Sequence, residues 1–182
     1  MFKWHLLLIG LVVFSVYSSA RAADYYTKIK IGVEDFATKS DGMTKFGIDI
    51  GKRVYNNLDI ELTSRTKFNH SGGHGAKIGI RFITHYKPLY AKVAVGKKYT
   101  DNNLGYYSIE GGVEYKIGDR WKTNTGIRFR NAFDTKYNQK THTFKTGIGY
   151  RITDAMGIGV SYDMKRGDSN EDSCGLGLRF KF

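Results

Sequence analysis

Hydrophobic and polar residues alternate with a period of two through most of this 182-residue chain. The last stretch shows the pattern most clearly. Cys174, Leu176, Leu178, Phe180 and Phe182 fall on one face, and glycine, arginine and lysine fall on the other. Because successive side chains of a strand point to opposite faces, this pattern predicts a strand with one apolar and one polar face. Helical periodicity fits none of the repeating segments.

Ten alternating segments follow one another along the chain. They occupy residues 27–34, 45–51, 58–65, 76–82, 89–96, 107–117, 121–130, 145–152, 156–164 and 173–182. No charged residue stands on their apolar faces. These alternating cores contain 7 to 11 residues, close to the roughly 9 to 11 that a tilted strand needs to cross hydrocarbon. We therefore predict an all-β fold: a closed antiparallel up-and-down transmembrane β-barrel of about ten strands. The number of membrane-spanning strands would be eight if one hairpin lay outside the membrane.

The connections between these segments alternate in length. Tight turns are predicted near residues 55–57, 85–88, 118–120 and 153–154, and longer polar loops at 37–42, 66–75, 98–105, 132–141 and 165–172. This asymmetry is typical of an outer-membrane barrel with periplasmic turns. Aromatic residues near both sets of connections predict two girdles at the membrane boundaries, with Tyr26 and Tyr90 on the turn side and Tyr106 on the loop side.

A soluble secreted barrel with the apolar faces turned inward is the competing architecture. Alternation alone does not distinguish the two. The girdles, the charge-free face, the loop asymmetry and the terminal Phe182 favour the membrane barrel.

Residues 1–22 have the features of a removable signal peptide. Lys3 is the positive residue, residues 6–16 form an apolar run, and Ala20-Arg21-Ala22 is a small-x-small cleavage site. The run is well short of the roughly 20 residues that span a bilayer. We expect residues 23–182 to form a barrel in the cell outer membrane. It would be a monomer in contact with the lipid bilayer and lipopolysaccharide.

Composition agrees with this architecture. The chain has 22 glycines, one proline and 26 Phe, Trp and Tyr residues, which is typical of β-proteins. The single cysteine, Cys174, excludes an internal disulfide. We interpret it as a small apolar residue facing lipid.

The net charge is +12, and +10 once Lys3 and Arg21 leave with the signal peptide. Basic residues outnumber acidic ones on the polar faces by about ten, so the whole excess is predicted to line the interior. A nucleic-acid partner would require accessible positive charge outside, and we expect none.

A basic lumen is the lining expected of an anion-selective pore. The predicted anion path consists of Lys30, Arg65, Lys77, Arg81, Lys92, Lys122, Arg128, Arg130, Lys145, Arg151 and Arg179. We interpret the protein as a narrow passive channel for small anionic solutes. The alternative is a closed barrel filled by salt bridges, since barrels of about eight strands are just wide enough for side chains to fill. Such a barrel would have a structural or surface-interaction role through its loops.

Glycines on the polar faces of the last three segments predict a smooth lumen wall, formed by Gly147, Gly149, Gly157, Gly159, Gly175 and Gly177. One interpretation is a slot for a small anion between this bare wall and the charged wall opposite. The other is that glycine lets strands bend and leaves room for opposing Arg and Lys side chains. Gly47 and Gly51 continue the same pattern.

The short hairpins, the basic polar face and the final Gly177-Leu178-Arg179-Phe180-Lys181-Phe182 resemble small monomeric outer-membrane porins such as the oligogalacturonate-specific family. That resemblance implies a channel. The chain is similar about as well to small OmpA-like and opacity-type barrels, which implies a structural or adhesive role.

Some small outer-membrane barrels are enzymes, which makes a lipid A-modifying enzyme a minor alternative. His70 and His74 lie on a glycine-rich loop and could supply a base or a metal ligand. No deacylase-like His-x-Ser pair is present, and a structural zinc site needs more ligands than these two. We expect a protein that is not an enzyme and that has no cofactor and no metal.

Overall fold

The structure is a computed structural model that describes residues 25–34, 43–69, 74–99, 103–137 and 140–181. The predicted signal peptide, His70 and the terminal Phe182 lie outside the described residues. The side chains of Lys30 and His74 also lie outside the described part of the chain.

Ten strands form the wall of one closed barrel. They are β1 (Tyr25–Glu34), β2 (Met43–Tyr55), β3 (Leu58–Asn69), β4 (His74–Tyr86), β5 (Leu89–Tyr99), β6 (Leu104–Ile117), β7 (Trp121–Ala132), β8 (Thr141–Arg151), β9 (Met156–Gly167) and β10 (Glu171–Lys181). Each strand pairs antiparallel with its neighbours in sequence, and β1 pairs with β10. This confirms the up-and-down barrel with all ten strands in the wall. Among the described residues, no helix has the length and apolar character needed to cross a bilayer.

The two faces of the wall have opposite chemistry, and the apolar one lies outside. Ile127 is 62% exposed and Ile109 is 54% exposed, whereas Asp49 and Glu61 have no exposed surface. A soluble barrel would show the reverse, because burial of apolar surface drives folding in water. The soluble alternative is therefore wrong, and the outer face is built for hydrocarbon.

Several strands run further than the alternation of hydrophobic residues predicts. β3 ends at Asn69 and β4 begins at His74, so both strands extend into the predicted loop at 66–75. β8 begins at Thr141, four residues earlier than predicted. Backbone groups continue to pair beyond the point where side chains stop meeting lipid, since every buried N–H and C=O needs a partner.

The aromatic girdles hold only in part. Exposed aromatic side chains near the strand ends are Tyr55, Tyr86, Tyr99, Tyr115, Trp121, Phe133, Tyr137, Phe144 and Tyr162. Tyr26, Tyr90 and Tyr106 point into the barrel instead, so their assignment to the girdles is wrong. Each stands at an inward position, in step with the charged or polar residue two places further along its strand.

Candidate functional site

A buried carboxylate, Glu61, organises the inner face of strands β1 to β4. Arg81 Nη1 lies 2.7 Å from Glu61 Oε2, and Lys28 forms an ion pair with Glu61 Oε1. The Tyr26 hydroxyl donates to Glu61 Oε1 at 2.9 Å. These four residues come from three strands, β1, β3 and β4, and form one ion-pair network on this side of the barrel.

Arg65 binds Asp49 through two parallel contacts. Its Nη1 lies 2.6 Å from Oδ1, and its Nη2 donates to Oδ2 at 2.7 Å. Such two-pronged contacts are among the stronger ion pairs in proteins. Gly47 pairs with Arg65 across the ladder, and a Cβ at Gly47 would overlap the Arg65 side chain. At this position glycine makes room for an opposing basic residue.

A second carboxylate, Glu110 on β6, is bound by two lysines. Lys92 Nζ lies 2.7 Å from Oε1, and Lys145 Nζ lies 3.2 Å from Oε2. Lys92 comes from the neighbouring strand and Lys145 from β8, two strands away. Both oxygens of Glu110 are therefore engaged.

Three basic side chains near the loop end of the lumen form a group that we call the cation cluster: Lys77, Arg128 and Arg130. Within the described residues, none of the three forms an ion pair with a carboxylate. The Nε atoms of Arg128 and Arg130 are buried without a hydrogen-bond acceptor. Arg128 Nη2 donates one long bond, 3.3 Å, to Thr143 Oγ1. Glu110 stands opposite Arg128 in the strand pairing, but it is bound by Lys92 and Lys145, so the cluster has no carboxylate of its own.

The glycine wall borders a cavity of about 1280 Å³ inside the barrel. Its lining runs from the turns at one end, near Asn56 and Asp154, to Lys67 and Glu171 near the other end. Five of the six predicted wall glycines line it: Gly149, Gly157, Gly159, Gly175 and Gly177. Gly147 differs, because a Cβ there would lie 3.0 Å from Asn124 Oδ1. The cavity is therefore bordered by glycines of β8 to β10 and by basic side chains of the other strands.

The chain is similar in structure to two solved porins. One is a NanC porin, 10% identical, covering 86% of this chain and 100% of that one with a TM-score of 0.50. The other is a KdgM porin in complex with disordered oligogalacturonate, 10% identical, covering 85% and 99% with a TM-score of 0.50. The chain shares the closed β-barrel fold of these two proteins. No family model and no curated protein matches it.

The structure sorts the predicted lumen residues of this barrel into two groups. Those held by carboxylates are Arg65, Arg81, Lys92, Lys122, Lys145 and Arg151. Lys77, Arg128, Arg130 and Arg179 have no carboxylate partner among the described residues, and Arg179 lies 4.9 Å from the centre of the Tyr26 ring. All ten line the cavity. Their role in carrying anions stays a prediction.

Sequence reasoning missed the carboxylates as the centres of the lumen, and it missed the inward tyrosines. Asp49, Glu61 and Glu110 were visible as polar-face residues, but alternation does not say which basic groups reach them. Tyr106 could have been placed inside, because it alternates in step with Ser108 and Glu110. Within the described ranges, no group of three His, Cys, Asp or Glu residues could hold a metal ion.

Proposed function

We propose that this barrel is a narrow passive channel that favours small anionic solutes and works as a monomer. The observation that carries the proposal is the charge of the cavity lining. Among the described residues, twenty lysines and arginines line the cavity and six aspartates and glutamates do so. A low-dielectric wall around excess positive charge favours anions in the space that it encloses.

The position of the cavity also supports a channel. One cavity runs from the turn end toward the loop end, and glycines of β8, β9 and β10 form part of its lining. The basic side chains of the ion pairs, among them Arg65, Arg81 and Lys145, line the same cavity and add to its positive lining. The fold shared with two porins supports the same conclusion.

A planar bilayer holding the purified protein tests ion selectivity directly. With a tenfold gradient of potassium chloride, we expect the reversal potential to take the sign of the chloride equilibrium and to approach about 59 mV in magnitude. Anions are favoured because the lining is basic. A reversal potential of the opposite sign would contradict the proposed role of the lining.

The absence of single-channel steps would instead favour the closed barrel with a structural or surface role. A change in the mass of lipid A after expression of the protein would favour the lipid-modifying alternative. Both measurements are needed, because a barrel that conducts could still act on lipid.

Filling the glycine wall is expected to reduce conductance. A Cβ at Gly149 meets only backbone oxygens, the nearest 3.6 Å away, so Gly149→Phe places a ring in the cavity without a clash at the backbone. Hydrophobic constrictions conduct ions poorly, and we expect a severalfold lower single-channel conductance. Gly111→Phe is the matched control, because Gly111 is exposed and a Cβ there has no atom within 4 Å. Equal conductance of the two variants would place the ion path elsewhere.

A further inference from the structure

The cation cluster carries excess positive charge because two carboxylates within its electrostatic range, Glu110 and Glu171, each already bind two lysines. Glu110 is bound by Lys92 and Lys145. Glu171 is held at 3.2 Å by Lys67 and at 2.9 Å by Lys165. Burying positive charge without a partner is costly, and proteins normally pair such groups or leave them to a ligand.

Tyr106 lies between Arg130 and the part of β4 that carries Lys77. The Tyr106 side chain crosses the neighbouring strands where they carry glycine. A Cβ placed at Gly96 would lie 2.8 Å from the Tyr106 hydroxyl oxygen, and a Cβ placed at Gly79 would lie 2.9 Å from it. The guanidinium of Arg130 lies 5.0 Å from the centre of the Tyr106 ring. Gly79 and Lys77 stand two residues apart on the inner face of β4, so Tyr106 spans from Arg130 to the part of β4 that carries Lys77.

The free donors of the cluster suit an oxyanion. A guanidinium presents its Nε and one Nη in a fixed fork that matches two oxygens. The Nε atoms of Arg128 and Arg130 are buried without acceptors, so one arm of each fork is open. The Lys77 ammonium adds a third donor group, and all three residues line the cavity.

We propose that Lys77, Arg128 and Arg130 form a binding site for a divalent tetrahedral oxyanion of the phosphate or sulfate class. The charges decide between oxyanions. A phosphate group carries about −1.5 to −2 at neutral pH, whereas a carboxylate carries one charge and two oxygens. The three positive charges of Lys77, Arg128 and Arg130 are therefore better compensated by a tetrahedral dianion than by a carboxylate. This site deepens the proposed function. It rests on that function only for the further passage of the anion through the barrel.

Isothermal titration calorimetry of the full barrel in detergent tests the site without any need for conductance. At constant ionic strength, we expect inorganic phosphate and sulfate to bind saturably with one site per chain, and acetate to bind at least about tenfold more weakly because it supplies half the charge. Glycerol phosphate in a parallel titration separates free phosphate from phosphate carried on an organic solute. Acetate binding as tight as phosphate would overturn the proposal.

Arg130→Gln removes one fork and is expected to raise the phosphate dissociation constant by about tenfold or more, the usual effect of losing a charged hydrogen-bond partner. Arg166→Gln is the matched control, because Arg166 lies exposed on the outer face and pairs with Asp172. Equal affinity of the two variants would overturn the proposal.

Tyr106 is a positioning residue in this account, which gives a second, independent test. Tyr106→Phe keeps the ring under Arg130, and we expect wild-type affinity; Tyr106→Ala removes the ring and is expected to weaken phosphate binding severalfold. Equal affinities for these two variants would overturn the role of Tyr106. A barrel that binds phosphate but does not conduct would contradict the proposed channel and leave the site standing. A barrel that conducts but does not bind phosphate would contradict the site and leave the proposed channel standing.

Discussion

Replacing Glu61 by glutamine is expected to lower the free energy of unfolding of the barrel by about 3 to 5 kcal/mol, the usual cost of breaking a buried ion pair by removing one partner. Glu61 has no exposed surface and binds both Arg81 and Lys28. The amide keeps the shape of the side chain and removes its charge. Lys28 then loses the carboxylate that it binds, and Arg81 keeps only the longer 3.9 Å contact with Asp49. Unfolding by guanidinium chloride of the protein in lipid vesicles measures the loss.

Glu114→Gln is the matched control for this experiment. Glu114 pairs with Lys122 at 2.6 Å, but its side chain is 22% exposed and that of Lys122 is 39% exposed. Solvent screens a pair of this kind, and we expect a loss of about 0 to 1 kcal/mol. Equal losses in the two variants would contradict the view that burial makes the Glu61 network important.

Replacing Ile127 by arginine is expected to cost about 2 to 4 kcal/mol of stability, because a charged side chain is placed on the lipid face near the middle of the bilayer. Ile127 is 62% exposed on the outer face of β7. It lies six residues from both Trp121 and Phe133, exposed aromatic residues at the two membrane boundaries. Unfolding from lipid vesicles again provides the measurement.

Ile117→Arg is the control, because Ile117 lies near the membrane boundary and Ile127 near the middle of the bilayer. Ile117 is 57% exposed and pairs with Trp121 at the turn end of the barrel. An arginine there reaches the interface, and the expected loss is about 0 to 1 kcal/mol. If Ile117→Arg were as destabilising as Ile127→Arg, the assumed position of the bilayer along the barrel would be wrong.

Apart from Tyr26, Tyr90 and Tyr106, alternation in the sequence was enough to separate the residues that face lipid from those that face the lumen. Hydrocarbon excludes charge from the outer face of each strand where it crosses the bilayer, which gives the sequence its period of two, as at Leu176 to Phe180. That constraint is local, since each residue obeys it without reference to distant parts of the chain. The strand number and the inward direction of Arg65, Arg81 and Lys145 follow from it.

Only the tertiary structure decided which inward residues meet. Lys145 reaches Glu110 from two strands away, and Tyr106 crosses two glycines to lie beneath Arg130. Alternation assigned all the basic residues to one lumen, but it could not separate the paired Arg81 from the uncompensated Arg130. The reason is geometric: strand tilt and side-chain reach across a closed barrel set these contacts, and neither is a local property of the sequence.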